Sequence, residues 1–221
     1  KSTHIYCQKN CYVAYIEQAL LICDGDVEVK AHSFQAKIFC RGNVKVTGVG
    51  ISSKTRGAVV GGIINGMKSI QLKSCGAEGC DTKLIAGIDL RIETQVKEAN
   101  KLHAEMEREI MISQQEIETY LSAAGKKENL GKMNDKTKVA VKNKLLELKK
   151  EQKSLMVLEG KVNKLKNMLH PKDIKSVFIS FLDFMDPIVH IQLKDKEETY
   201  KERIVGNSRY KLVEDKITRV L

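Results

Sequence analysis

Six cysteines, five histidines and a pair of glycine-flanked aspartates are the side chains of this 221-residue chain whose types and spacing could do chemistry. Cys7 and Cys11 are separated by three residues and Cys75 and Cys80 by four; the second pair brackets Gly76-Ala77-Glu78-Gly79, a turn able to bend two thiolates around zinc. No histidine lies near Cys75 or Cys80, and neither spacing is the paired CxxC of a zinc ribbon, so the metal reading is the weaker one. Cys23 and Cys40 hold equivalent places in a repeat and read as small apolar fillers of an interior column rather than redox thiols. A chain this well supplied with Val, Ile and Leu needs no disulfide framework, and all six cysteines read as reduced thiols. His103 and Ser113 fall on the apolar stripe of a helical segment. No nucleophile or second titratable group shares that stripe, so they read as seam positions that fix register.

A carbohydrate-acting β-helix needs carboxylates clustered on one outer face, for acid and base work or for calcium. Asp24 and Asp26 flank Gly25, but the next repeat has Arg41 and Asn43 there, which breaks any acidic column. Both aspartates are expected to be turn residues bonded to nearby backbone. Gly61-Gly62 is followed by no Lys-Ser/Thr and opens no helix, so it reads as a corner rather than a phosphate loop. The hexapeptide of acyltransferase solenoids is absent. The expectation is a protein without catalytic, cofactor-binding or metal-binding residues, hence no cofactor and no enzymatic activity.

Three kinds of element must position these side chains. The first is a repeat. Cys23-Asp24-Gly25-Asp26-Val27-Glu28-Val29 is followed by Cys40-Arg41-Gly42-Asn43-Val44-Lys45-Val46, with every landmark displaced by the same 17 positions. A looser turn follows at Val60-Gly61-Gly62-Ile63-Ile64, and an earlier one spans Ile5 to Val13. Each unit has β-branched alternation and a glycine corner, and cannot bury its apolar face alone, so successive coils must stack as a β-solenoid. Stacking puts Val27 above Val44 and Val29 above Val46.

Near residue 90 the period changes. Val96, Ala99, His103, Met106, Ile110, Ser113, Ile117, Tyr120 and Ala124 follow a heptad register, with Gly125 as a stop. Residues 126–135 supply glycine, asparagine and charge, and Asn134 or Asp135 can cap a second helix. There Val141, Leu148, Leu155, Val162 and Leu169 recur every seven residues, with Leu145, Leu158 and Leu165 completing the seam, until His170-Pro171 stops it. Two such helices predict an antiparallel coiled-coil hairpin, an arm of about 30 residues and on the order of 45 Å. Strand-like stretches then return at Ser176 to Phe184, Ile188 to Leu193, Glu202 to Val205 and Tyr210 to Val213. They are expected to pack back beside the solenoid and cover its last coil. The fold class is mainly β with a long α insertion: 1–90 β-helix, 91–170 hairpin, 171–221 closing strands.

Composition sets the outer limits. With 42% hydrophobic and 30% charged residues the chain is globular, and no apolar run reaches the roughly 20 residues that span a bilayer. The start, Lys1-Ser2-Thr3-His4-Ile5, has no signal-peptide pattern and no Met, which reads as an intracellular piece of a longer protein. The net charge of +10 invites a nucleic-acid partner. Lysines are concentrated between Lys126 and Lys175, however, opposite a first helix carrying Glu93, Glu98, Glu105, Glu107, Glu109, Glu116 and Glu118. Cross-hairpin pairing accounts for much of that charge, and with only Tyr120 close by and no Trp there is little for bases to stack on.

These residues also carry a resemblance. Gly42-Asn43-Val44-Lys45-Val46, Thr55-Arg56-Gly57-Ala58-Val59-Val60-Gly61-Gly62, Ser69-Ile70-Gln71-Leu72-Lys73, the turn from Cys75 to Thr82, and Leu84-Ile85-Ala86-Gly87-Ile88 closely resemble the flagellar assembly protein A family. So do His32-Ser33, Ile188 to Leu193 and Arg209 to Val213. Cys75 and Cys80 replace the usual Gly and Ser of their turn, and Met185-Asp186-Pro187 stands where an aromatic-Pro-Gly turn is usual. The resemblance implies a right-handed single-stranded β-helix interrupted by a coiled-coil hairpin, with no known enzymatic activity and with the family's N-terminal domain missing here. The implied role is a scaffold of the bacterial cytoplasm whose arm meets a protein partner or a second copy in a homo-oligomer. The alternative is an anion-directed binder that meets nucleic acid or an acidic membrane surface through its basic hairpin.

Overall fold

A computed structural model describes residues 3–50, 58–123, 135–173 and 176–220. The chain divides into two compact units, Lys1–Glu93 with Met168–Leu221, and Thr94–Asn167.

The first unit is built on parallel ladders, because each short aliphatic run pairs in register with the run one coil later. One ladder joins β1 (Thr3–Cys7), β4 (Ala19–Cys23), the second half of β6 (Ser33–Cys40), β8 (Val59–Gly66), β10 (Thr82–Ala86) and β12 (Val189–Leu193). A second joins β2 (Cys11–Val13), β5 (Val27–Val29), β7 (Val44–Val46), β9 (Ser69–Cys75) and β11 (Phe178–Met185). A short third one runs from β3 (Ile16–Glu17) through the first halves of β6 and β8 to Cys75. Register makes columns. Leu21, Ile38, Ile64, Leu84 and Ile191 stack through the core with no measurable exposure, each worth about 1.5–3 kcal/mol of burial. Val27 faces Val44 and Val29 faces Val46, as the 17-residue repeat predicts.

The corners are polar. Asp26 does not bond nearby backbone as expected: its Oδ1 accepts from the backbone N and the Nδ2 of Asn43, one coil on, at 2.7 and 3.0 Å. Its own N–H donates to Asn10 Oδ1 one coil back, and Asn43 Oδ1 accepts from Ser69 Oγ. Asp24 also departs from a local turn role, reaching Arg41 and Arg91. A charged or amide side chain in a stacked corner can satisfy polar groups of the adjacent coil, which linear sequence does not display. At Gly62 the backbone is left-handed (φ +81°) and a Cβ would lie 2.1 Å from the Ala36 carbonyl oxygen, so only glycine fits.

Beyond the helices, β11 and β12 rejoin the parallel ladders on β9 and β10. The pairing then turns antiparallel: β13 (Lys196–Tyr200) on β12, β14 (Ile204–Val205) and β15 (Ser208–Val213) on β11, and β16 (Lys216–Val220) on β15. Tyr210 is fully buried there, edge-on to Phe181 and Tyr200 at 5.9 and 5.1 Å between ring centroids. β13 and β16 were not among the expected strands, since both are polar edge segments without apolar alternation.

The second unit consists of most of α1 (Leu90–Ala123) and α2 (Asp135–Met168). Val96, Ile110 and Ile117 of α1 and Val141 and Val162 of α2 are buried. Leu145, expected in the seam, is 40% exposed instead. Lys144 takes the inner side there, its Nζ bonded to Glu116 and lying 5.1 Å from the Tyr120 ring centroid, because a lysine stem packs as an apolar chain while its head stays paired. The expected stop at Gly125, the connection from Lys126 to Asn134, the Thr55-Arg56-Gly57 segment and Ile174 lie outside the described residues.

Candidate functional site

The thiols come first, since they are the chemistry that composition offers. All six are free. Cys7, Cys23 and Cys40 lie opposite one another in register. Cys23 Sγ donates to Lys9 O and Cys40 Sγ to Gly25 O, each at 2.8 Å, the same bond repeated one coil apart. They are therefore fillers that also satisfy corner carbonyls. Burial pushes the Cys23 thiol up to about 11 and the Cys40 thiol up to about 12. Cys75 is fully buried and raised for the same reason, while Cys80 is half-buried and shares a bridge with Ala77 that closes the turn. Thiols held this far from ionisation at neutral pH, as Cys23, Cys40 and Cys75 are, are poor nucleophiles. Among the described residues no group of three or more His, Cys, Asp or Glu is arranged to hold a metal ion.

His32 and Ser33 are separated in role by strand alternation. His32 points outward, stacked on Tyr15, with Nε2 2.6 Å from Glu17 Oε1. Ser33 points into the core, fully buried, and its Oγ has no hydrogen-bond partner. The two do not converge on one site.

His103 has titratable neighbours that lie off its own apolar stripe. Its Nδ1 is 3.4 Å from Glu107 Oε2 on the same helix and its Nε2 3.3 Å from Glu159 Oε1 on α2. Spacing along α1 could not show Glu159, which arrives from the other helix. With Glu116 meeting Lys144, the contacts run in opposite directions along the two helices. Asn100, His103, Glu159, Val162, Asn163 and Lys166 line an open groove beside this pair. Ser113 is half-buried.

Sequence reasoning also missed the residues that start α1 within the first unit. Asn65, 1% exposed, donates from Nδ2 to Ile85 O and Ile88 O and accepts at Oδ1 from the Leu90 N–H. Asp89, 2% exposed, accepts from Arg91 N, Nε and Nη2 and from Arg41 Nε at 3.0 to 3.2 Å. Its N–H donates to Leu169 O, and His170 Nδ1 donates to Gly87 O at 2.8 Å, so the chain entering the helices is tied to the chain leaving them. Burial pulls the Asp89 carboxyl up, but the bonds and charges of Arg91 and Arg41 together hold it below the ordinary carboxylate range. This is a structural junction made of polar residues.

A solenoid of parallel coils that opens after β10 to admit two long helices, and then resumes, is the arrangement to compare with known proteins. The family model described as the Flagellar Assembly Protein A beta solenoid domain matches residues 1–217. The chain belongs to that family. No curated protein and no solved structure matches it significantly. In this FapA-family chain, among the described residues, no helix is long and apolar enough to cross a membrane. One candidate functional surface is the outside of the helices, where Met156, Val157 and Ile112 are 70%, 61% and 54% exposed.

Proposed function

We propose that the chain is a non-enzymatic scaffold of the bacterial cytoplasm. In this reading a right-handed single-stranded β-helix (1–90), on which 171–221 packs back as a cap, provides a rigid body. Residues 91–170 form an antiparallel coiled-coil hairpin that meets a protein partner or a second copy. The observation that carries it is the apolar surface left on α2 outside its seam, with Met156 and Val157 the most exposed pair. Large aliphatic side chains in water on an already paired helix favour a further protein contact.

Replacing residues 92–169 by a short linker tests this. The scaffold reading expects both self-association and partner capture to fall, and both to depend on salt far less steeply than binding to a polyanion does. Loss of binding to a polyanion, steeply salt-dependent and hairpin-dependent, would instead favour the anion-directed alternative through the lysines of α2. Association unchanged by the deletion would overturn both.

A further inference from the structure

Resting on the scaffold reading, we infer that the hairpin's partner is a second copy of this chain, bound through one side of the helix pair, with α2 of each copy packed on α1 of the other. The apolar residues outside the α2 seam are regularly spaced. Leu145 and Leu146 are followed eleven residues later by Met156 and Val157, and Val139 stands seven before Leu146; all are exposed. At about 100° per residue, eleven residues return to the same face within about 20°, so Val139, Leu146 and Val157 form one line, about 140–160° around the helix from buried Val141. The line is therefore not a fringe of the seam.

The exposed neighbours of this line are cations. Lys150, Lys153, Lys161 and Lys164 fall within the same arc of about 80°. α2 as a whole carries ten lysines against four acidic residues, so two α2 faces would repel each other. The occupant must be acidic. α1, with seven acidic and four basic residues, has a face of matching size, where exposed Leu102 and Ile112 share an arc of about 80° with Glu98, Glu105 and Glu109. The antiparallel contacts of His103 with Glu159 and of Glu116 with Lys144 turn both arcs to the same side of the pair. A two-fold axis along the helices then lays each basic apolar line on the acidic apolar face of the other copy, a self-complementary four-helix contact.

The test uses the full chain, followed by sedimentation equilibrium over a wide concentration range. A dimer is expected. Leu146→Gln with Val157→Gln should raise its dissociation constant by about 10-fold or more, and so should Lys150→Glu with Lys153→Glu. Adding Glu105→Lys and Glu109→Lys to the lysine reversal should bring the dimer back, a recovery that only contact between these two faces produces and that also shows the variants fold. A monomer at every concentration, a dimer indifferent to the substitutions, or no recovery on reciprocal reversal would overturn the inference. A monomer that still captures a foreign protein through the hairpin overturns this inference alone and leaves the scaffold reading standing. Failure of every hairpin-dependent association removes that reading as well.

Discussion

Removing the Asp89 carboxylate should cost the solenoid unit about 3 kcal/mol. Its side chain is 3% exposed and takes four bonds, one from the backbone of Arg91 and three from guanidinium nitrogens. The backbone bond is a helix cap, worth about 1 kcal/mol, and a charge-assisted hydrogen bond contributes about 1.5–3 kcal/mol. Breaking a wholly buried pair costs about 3–5 kcal/mol. Here Arg41 and Arg91 keep 39% and 23% of their side-chain exposure and regain water once the carboxylate is gone, which trims the loss. Asp89→Ala is therefore expected to lose about 3 kcal/mol, lowering Tm by about 6–12 °C in a chain of this size. Asp89→Asn should lose about 2 kcal/mol, because the amide oxygen still caps the Arg91 N–H. The pH dependence has a definite sign. The folded carboxyl lies below its ordinary value, so its stabilisation is complete above the unfolded pKa of about 3.9 and is lost as pH falls through the folded one. Urea denaturation followed by circular dichroism, at several values from about pH 7 down to about pH 3, measures this. A neutral-pH loss below about 0.5 kcal/mol for the alanine variant, or an Asp-minus-Asn difference that persists in acid, would refute the assigned role.

Gly62→Ala should cost about 3 kcal/mol or more, since φ is +81° and the new methyl meets the Ala36 carbonyl, whereas Gly50→Ala, with the same φ and nothing within 4 Å, should cost only about 1–2 kcal/mol; the same urea titration separates them. Glu151→Leu should raise the melting temperature of the helical unit by relieving a carboxylate oxygen, Oε2, that is buried without a partner, a gain of about 1–2 kcal/mol, and a lower melting point would contradict it. Alkylation followed by mass spectrometry should modify Cys7 and Cys80, which are partly exposed, well before Cys23, Cys40 and Cys75; at about pH 8 a thiol near 12 is ionised in only about one molecule in ten thousand.

How much of this was legible in the sequence follows from how local each signal is. The stacked coils were visible because Cys23 and Cys40, Val27 and Val44, and Val29 and Val46 repeat at one fixed displacement, which a linear scan detects. The helices were visible because their buried residues, Val96, Ile110 and Ile117, and Val141 and Val162, sit at helical spacing. Leu145 was misplaced because a leucine and a lysine at adjacent positions are ranked by hydrophobicity alone, while the helix phase there brings Lys144 inward against Glu116 and Tyr120. The junction of Arg41, Asn65, Asp89 and Arg91 was invisible: Arg41 lies 48 residues from the Asp89 it bonds, and each member looks like an ordinary polar residue alone. His103 was half legible, its seam position clear from the heptads and its second carboxylate supplied by the other helix.

The parallel pairing of Thr82 with Val189 across the helical insertion has a consequence for the nascent chain. β10 emerges from the ribosome with one edge joined to β8 and the other without the β12 partner that lies about a hundred residues downstream. At about 5–20 residues per second that edge waits some 5 to 20 s for its strand. During the wait the helices, which form from local contacts within microseconds, shorten the span that must close. A helical insertion at this point in the fold is thus also a timing element, setting how long the growing solenoid displays an adhesive edge during synthesis.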